Sequence, residues 1–387
     1  MQDECQAAQE RCDSNLSSVG GISVLQTTRT RLPPCAVRIV DEEYILVGGY
    51  ELDKLTGYRT GTIEVYNDEL RLQKSYETYG AVLDLKLNPF EQTLVGTAHS
   101  TGNIMLWRFE QGALELLANL QVFEPDVLIT SLSFSPTDRR LIVVTTTAGS
   151  LKTIDIETGE LLMTSNSIKK IYEIAEWKKI QVQGKTEVAV DVVELFDQVS
   201  KPHSLECWTA EFGFLPPLEN VIFSGGDDCA IQAHDIRSGE FIWSNKSLHT
   251  GGVVAIKSST WTFRSHMPTS IITGSYDDYI RSFDLRMLAD SIFPGEDPRP
   301  LNIHELNLGG GVWRFSESPS NTTLGTNELL ACCMYDGAKV VSLKDHQFTL
   351  KTSFKKGHES ICYGGDWCSR FVATSSFYDK SLQLWKP

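Results

Sequence analysis

One pattern is written twice between residues 221 and 286, and it restricts the fold more than any other feature of the chain. Val221-Ile222-Phe223-Ser224-Gly225-Gly226-Asp227-Asp228 runs into Ala230-Ile231-Gln232-Ala233-His234-Asp235-Ile236-Arg237. Ile271-Ile272-Thr273-Gly274-Ser275-Tyr276-Asp277-Asp278 runs into Tyr279-Ile280-Arg281-Ser282-Phe283-Asp284-Leu285-Arg286. Each copy is an apolar strand, a small-residue end, an acidic tight turn, a second strand and a dipeptide in the place of Trp-Asp. A single unit of this kind cannot bury both its faces, so copies stack, and a spacing of about one blade-length marks a β-propeller.

Aligned on the Trp position, the chain holds seven such units. The first contains residues 44–50 and 61–67, the second 81–87, 93–99 and 104–107, the third 129–134, 141–146 and 151–155. The fourth and fifth place residues 204–212 and 252–258 ahead of the two copies. The sixth contains 312–315, 329–334 and 338–343, and the seventh 361–367, 371–376 and 381–385. Their β-branched and aromatic runs are bounded by Gly, Ser, Asn and Asp, as strands are. The last unit is one strand short, and residues 22–28 form an unassigned strand ahead of the first unit. The expected architecture is an all-β, seven-bladed WD-repeat β-propeller over residues 22–387, closed by that N-terminal strand so that few edges are exposed. Residues 1–21 read as a flexible polar tail. The interval from Ile154 to His234 is about twice the repeat, so residues 166–202 are expected to be a surface insertion. Residues 290–302, rich in Pro and Asp, read as a shorter linker.

A net charge of −15 argues against nucleic acid or an anionic membrane, and suits a basic protein partner or a cationic ligand. An acidic surface also serves solubility. The nine cysteines are scattered without a CxxC pair, a pattern of buried reduced thiols rather than a disulfide framework or zinc site. No apolar run is long enough to span a membrane, and the N-terminus lacks the apolar core of a signal peptide.

Asp228, Asp277 and Asp379 each precede the Trp position of their unit by six residues. There a carboxylate is expected to receive hydrogen bonds from a histidine one loop away, with His358 the partner in the last blade. Asp227 and Asp278 are then free to face solvent or a ligand. The innermost strands carry Glu206, Trp208, Trp313, Arg314, Asp366 and Trp367, which line the channel or pack between blades. Ser360, two residues after His358, is a weak candidate nucleophile, whereas Cys332 and Cys333 read as core. No GxSxG, HExxH, P-loop or dinucleotide fingerprint supports other chemistry.

Segments in order along the chain carry a more specific likeness: Leu32-Pro33-Pro34-Cys35, the HSLECWTAEF of residues 203–212, the TGSYDD of residues 273–278, Gly310-Gly311-Val312-Trp313-Arg314, Ala331-Cys332-Cys333-Met334, Tyr363-Gly364-Gly365-Asp366-Trp367, and Ser376-Phe377-Tyr378-Asp379 with Leu384-Trp385. From about residue 32 onward the chain resembles the diphthine methylesterase family of WD-repeat proteins. The resemblance implies a cytoplasmic, cofactor-independent hydrolase acting on translation elongation factor 2, expected to work as a monomer. It would remove the methyl ester from methylated diphthine, releasing methanol, as one step of diphthamide biosynthesis. Some fungal members suggest an endosomal recycling role, and a non-catalytic scaffold is the alternative.

Diphthine carries a trimethylammonium group, which aromatic faces and carboxylates hold. The expected binding residues are Trp208, Tyr276, Trp313, Trp367 and Tyr378 beside Asp227, Asp278 and Asp366. Water or Ser360 is the expected nucleophile, His358 or His203 the base, and Arg314 or loop N–H groups the oxyanion donors.

Overall fold

The computed structural model describes residues 22–157, 191–192, 203–239, 241–286, 303–319, 326–344 and 347–387. The expected tail, the linker and nearly all of the expected insertion lie outside the described residues. Seven separate antiparallel-stranded sheets form the blades, each numbered here from its innermost strand outward. Blade 1 is Pro34–Val40, Tyr44–Leu52, Arg59–Asn67 and Leu72–Thr78; blade 2 is Val82–Leu87, Leu94–His99, Asn103–Glu110 and Ala113–Gln121. Blade 3 comprises Ile129–Phe134, Leu141–Thr146 and Leu151–Asp155 among the described residues. Blade 4 is Cys207–Phe212, Val221–Gly226, Ile231–Asp235 and Phe241–Asn245; blade 5 is Val253–Ser258, Ser270–Ser275, Tyr279–Asp284 and His304–Asn307. Blade 6 is Arg314–Glu317, Glu328–Cys332, Ala338–Lys344 and Gln347–Phe354. Blade 7 is Cys362–Trp367, Val372–Ser376 and Ser381–Lys386, completed on the outside by Ser23–Arg29. Asp191–Val192, inside the expected insertion, adds a short parallel pairing to Leu120 and Gln121 at the edge of blade 2.

The second strand of each blade explains the sequence pattern. Leu141–Thr146 and Ser270–Ser275 are buried at every residue, because both faces press on neighbouring blades. Such strands read as unbroken apolar and small runs instead of alternating ones. The core is therefore divided into wedges between blades. Ile104 and Leu106 of blade 2 meet Leu132 and Ile142 of blade 3, and Leu330 and Cys332 of blade 6 meet Val372 and Trp385 of blade 7. The ring closes where Val37 and Ile45 of blade 1 pack on Ala373 and Leu384 of blade 7. Full burial of each such large side chain contributes about 1.5–3 kcal/mol.

The closing strand is where the sequence placed it. Val24 pairs with Trp385, Thr27 with Gln383 and Arg29 with Ser381, antiparallel.

The inner strands share an irregularity that sets up the channel. Register shifts fall between Pro34 and Ala36, Val82 and Asp84, Ile129 and Ser131, Cys207 and Thr209, Val253 and Ala255, and Cys362 and Gly364. Each leaves one extra residue, respectively Cys35, Leu83, Thr130, Trp208, Val254 and Tyr363. A bulge of this kind turns a side chain away from the regular alternation. In blade 6 the equivalent place is Trp313, whose N–H donates to the Cys332 carbonyl (2.9 Å) just ahead of the inner strand.

Candidate active site

The bulged positions bring aromatic rings from separate blades to one mouth of the channel. The Trp208 and Trp313 centroids lie 5.5 Å apart at an interplanar angle of 60°. Trp313 meets Tyr363 at 4.9 Å and Tyr276 at 5.7 Å. Tyr363 continues edge-on to Phe377 at 5.2 Å, and Phe377 to Tyr378 at 5.0 Å. Blade 5 contributes only Val254 at its bulge, and that small residue lets the two indoles meet across it. Trp313 is buried at 8% exposure, whereas Tyr378 is 70% exposed at the outer rim. The Gly309-Gly310-Gly311 run lets Tyr276 in: a Cβ on Gly311 would stand 3.2 Å from the Tyr276 ring and 2.8 Å from the Met334 sulfur.

Asp227 and Glu206 stand near Tyr276 of this group, whereas the charged neighbours of Asp278 are Asp277, Asp336 and Lys339. Asp227 stands in the turn after Val221–Gly226, and a Cβ on Gly252 would collide with its Oδ1. Burial raises the Asp227 carboxyl above its ordinary range, with Glu206 and Asp228 adding repulsion while the Trp208 indole pulls the other way. Burial likewise raises Asp278, helped by Asp277 and Asp336 and opposed by Lys339. Partly buried acids crowded by like charges favour an arriving cation, which would relieve the repulsion. Aromatic faces and acids together suit an onium group.

Deeper in the channel lies a cavity of about 220 Å³, walled by residues that include Trp208, Trp313, Arg38, Asp84, Lys86, Glu211, Lys257 and Arg314. Arg314 Nη1 donates to Asp84 Oδ1 (2.6 Å) and Nη2 to the Leu83 carbonyl (2.9 Å), crossing from blade 6 to blade 2. Burial pushes the Asp84 carboxyl up, but Arg314, Lys86 and Arg38 outweigh it and hold the group below its usual value. Among the described residues, no group of three or more His, Cys, Asp or Glu converges in a way that would hold a metal ion.

The expected catalytic residues are not assembled. His203 Nδ1 is 2.8 Å from Asp228 Oδ1 and its Nε2 is 2.9 Å from Ser224 Oγ, so both ring nitrogens are engaged inside blade 4. His358 is 1% exposed and stacks edge-on against Phe354. Gln383 Nε2 lies 3.3 Å from His358 Nδ1, and burial lowers the imidazole to about 4. Ser360 Oγ instead accepts the Tyr378 N–H (3.0 Å), so the two do not form a nucleophile–base pair. The structural pairing of His358 with Asp379 is also absent: Asp379 Oδ2 accepts the Glu359 N–H (3.2 Å), while Asp379 Oδ1 and His358 Nε2 have no hydrogen-bond partner among the described residues. In blade 5, Asp277 takes Arg281 (2.9 Å) and the Thr250 N–H (3.0 Å), while His249 turns to Thr273 (2.9 Å). The expected histidine–carboxylate link thus holds at Asp228.

Asp366 and Trp367 separate from the other expected binding residues. They sit at the far end of the blade 7 inner strand, opposite Ala373 and Val372. Asp366 accepts the Ile39 N–H (2.8 Å) and the Ser316 hydroxyl (2.7 Å), tying three blades, and Trp367 packs against the wedge between blades 6 and 7. Alternation along a regular strand cannot place them at the mouth. Trp208, Tyr276 and Trp313 meet there, with Asp227 beside them, and Tyr378 stands at the rim. Tyr363 and Phe377 were missed as site residues. The signal was available for Tyr363, since YGGDW occupies the same place relative to its strand as ECWTAEF.

No protein-family model matches the chain. The chain is 52% identical, over 96% of its length and 100% of the other's, to a Saccharomyces cerevisiae protein named diphthine methyltransferase. A Schizosaccharomyces pombe protein of the same name is 31% identical over 91% of this chain and 93% of its own. A human one is 29% identical over 83% of this chain and 64% of its own. Among solved structures, a chain of a mitotic checkpoint complex aligns with TM-score 0.66 at 13% identity, covering 96% of this chain and 93% of that one. At that identity the likeness is one of fold.

Proposed function

The chain belongs to the diphthine methyltransferase family and so has a role in diphthamide biosynthesis, and we propose that it is a cytoplasmic hydrolase that removes the methyl ester from methylated diphthine on translation elongation factor 2. The observation that carries this reading is the contact of Trp208, Trp313, Tyr276 and Tyr363 at one channel mouth with Asp227 beside them. Such a site receives a quaternary ammonium by cation–π attraction and opposite charge. The onium then anchors the modified side chain with its neighbouring ester at the entrance of the cavity.

Water is the nucleophile in this reading, since no hydrogen bond joins Ser360 to His358 among the described residues. In this reading Asp227, whose carboxyl is raised chiefly by burial, takes the proton as water adds to the ester carbonyl. Collapse of the tetrahedral adduct breaks the acyl–methoxy bond. The products are a carboxylate, methanol and the proton that methoxide does not carry away.

Incubation of the purified protein with elongation factor 2 bearing methylated diphthine, in ¹⁸O-labelled water and without a methyl donor, tests this. The expected result is loss of the methyl with label in the new carboxylate. A factor whose mass is unchanged, or gains a methyl when a donor is supplied, overturns it.

A further inference from the structure

The turn between the second and third strands of a blade recurs at the aromatic mouth: Asp227 in blade 4, Tyr276 in blade 5 and Phe377-Tyr378 in blade 7 all stand in it. Antiparallel pairing puts the same turn of blades 1 and 6 on the same face of the disc. The blade 6 turn carries Tyr335, 63% exposed. Its neighbour Met334 is bridged to Cys362, whose N–H donates to the Met334 carbonyl (2.9 Å), and Cys362 leads directly into Tyr363. Burial raises the Tyr363 phenol, and Cys35, Tyr378 and Tyr335 add to the rise, so both exposed tyrosines stand close to it. The blade 1 turn carries Leu55 and Tyr58, 98% and 74% exposed. It is ordered, since the Asp53 N–H donates to the Tyr58 carbonyl (2.9 Å) and Asp53 Oδ1 accepts the Leu55 N–H (2.8 Å). It flanks blade 7, where Arg59 Nε donates to the Tyr50 hydroxyl (3.0 Å) and the Tyr50 ring lies 6.1 Å from Phe377. Tyr335, Tyr378, Tyr58 and Leu55 thus form an exposed apolar arc over blades 6, 7 and 1. At blade 4 the mouth is edged with charge instead. Glu206 and Asp227 both stand near Tyr276, and the Glu206 carbonyl accepts the Asp227 N–H (2.9 Å). Asp228 beside them is answered by His203 at 2.8 Å and Lys246 at 3.8 Å.

We propose that this rim docks the polypeptide that carries the modified residue, with an apolar side chain of that polypeptide against Tyr335, Tyr378 and Tyr58 and a Lys or Arg toward Glu206. The inference rests on the proposed function in one respect, that the side chain entering the mouth belongs to a protein: the backbone bearing it must then cross the rim. Exposed aromatic side chains gathered on one face mark a protein-binding surface, and aromatics are the residues that carry most interface energy. An ordered turn presents them with little entropy left to lose on binding. The charge follows the same division. One onium offsets one of the two carboxylates, Asp227 and Glu206, and a second cation on the arriving chain offsets the other. A basic partner also suits a protein whose net charge is −15.

The test is biolayer interferometry with elongation factor 2 carrying diphthine, the unmethylated form, which is not turned over. The parent binds it with an affinity that falls as salt rises. Tyr335→Ala and Tyr58→Ala each weaken binding about tenfold, with melting temperature and choline affinity kept as signs of an intact fold and mouth. Glu206→Gln flattens the salt dependence. Trp261→Ala removes an exposed indole from the turn between the first two strands of blade 5, on the opposite face, and leaves binding unchanged. Failure of the parent to bind, rim variants that bind as the parent does, or a loss confined to Trp261→Ala overturns the docking surface. So does a parent dimer that Tyr335→Ala makes monomeric, which assigns the rim to a second copy of the chain. The hydrolysis assay reports separately: rim-dependent binding without methyl release keeps the docking surface and sinks the reaction, and methyl release with the parent's KM in both tyrosine variants does the reverse.

Discussion

His203 bridges two points of one hairpin, its Nδ1 2.8 Å from Asp228 and its Nε2 2.9 Å from Ser224, so a single imidazole pins the approach to blade 4. Related buried rings recur around the propeller. Burial lowers His99, His234 and His358 to about 4 and His249 to about 3, from an ordinary 6.5. The unfolded chain therefore binds protons below pH 6.5 that the folded one refuses. Stability is full above that value and falls as the pH drops toward 4, at about 1.4 kcal/mol per pH unit for each ring. Thermal melts should show a steep loss of melting temperature through this window. A flat profile between pH 6.5 and 4 would contradict the burial of these rings.

Trp313 touches Trp208, Tyr276 and Tyr363 at once. Truncation to Ala should cost about 3–5 kcal/mol in stability through the cavity it leaves. Trp313→Phe keeps most of the packing and loses the strongest cation–π face, so choline affinity should fall about 2- to 30-fold, the 0.5–2 kcal/mol of that contact. Unchanged affinity in the Phe variant removes Trp313 from the onium site.

Asp227, beside the Tyr276 ring, has a carboxyl raised chiefly through burial. Protonation removes the negative charge, so onium binding should decline with falling pH, beginning above the usual carboxylate range. Asp227→Asn should lower choline affinity by about tenfold and flatten that pH dependence. A variant that binds choline as the parent does at every pH would assign the effect elsewhere.

The closing strand Ser23–Arg29 is exposed along nearly all its side chains. Its hold on blade 7 therefore resides in the backbone ladder to Ser381–Lys386. Val24→Ala should shift stability by no more than about 0.5 kcal/mol. Deletion through Arg29 should lower the melting temperature by several degrees and promote aggregation, because it opens a strand edge. A truncated protein that melts with the parent would show the strand to be dispensable.

Ser360 Oγ accepts the Tyr378 N–H instead of facing His358. Ser360→Ala should therefore cost about 0.5–1.5 kcal/mol through the lost hydrogen bond, with kcat kept within a few-fold. A loss of several hundredfold in kcat would restore Ser360 as nucleophile.

The repeat of residues 221–286 determined the propeller on its own, because strands buried on both faces must be written as unbroken apolar and small runs. The strand missing from the last unit placed residues 22–28 on that blade, and Ser23–Arg29 pairs there with Ser381–Lys386. Motif order singled out Trp208, Tyr276, Trp313 and Asp227, which meet, and also Asp366 and Trp367, which do not join them. Their grouping was decided by the tertiary structure. Trp208 and Tyr363 reach the mouth because a bulge adds one residue to each inner strand, whereas Asp366 and Trp367, on the regular end of the same strand as Tyr363, do not. Residue spacing alone gives a two-residue alternation, and a bulge shifts it by one. The meeting of Arg314 with Asp84 was equally hidden, since it joins blades 6 and 2 across the channel and only ring closure brings positions so far apart in the chain to 2.6 Å.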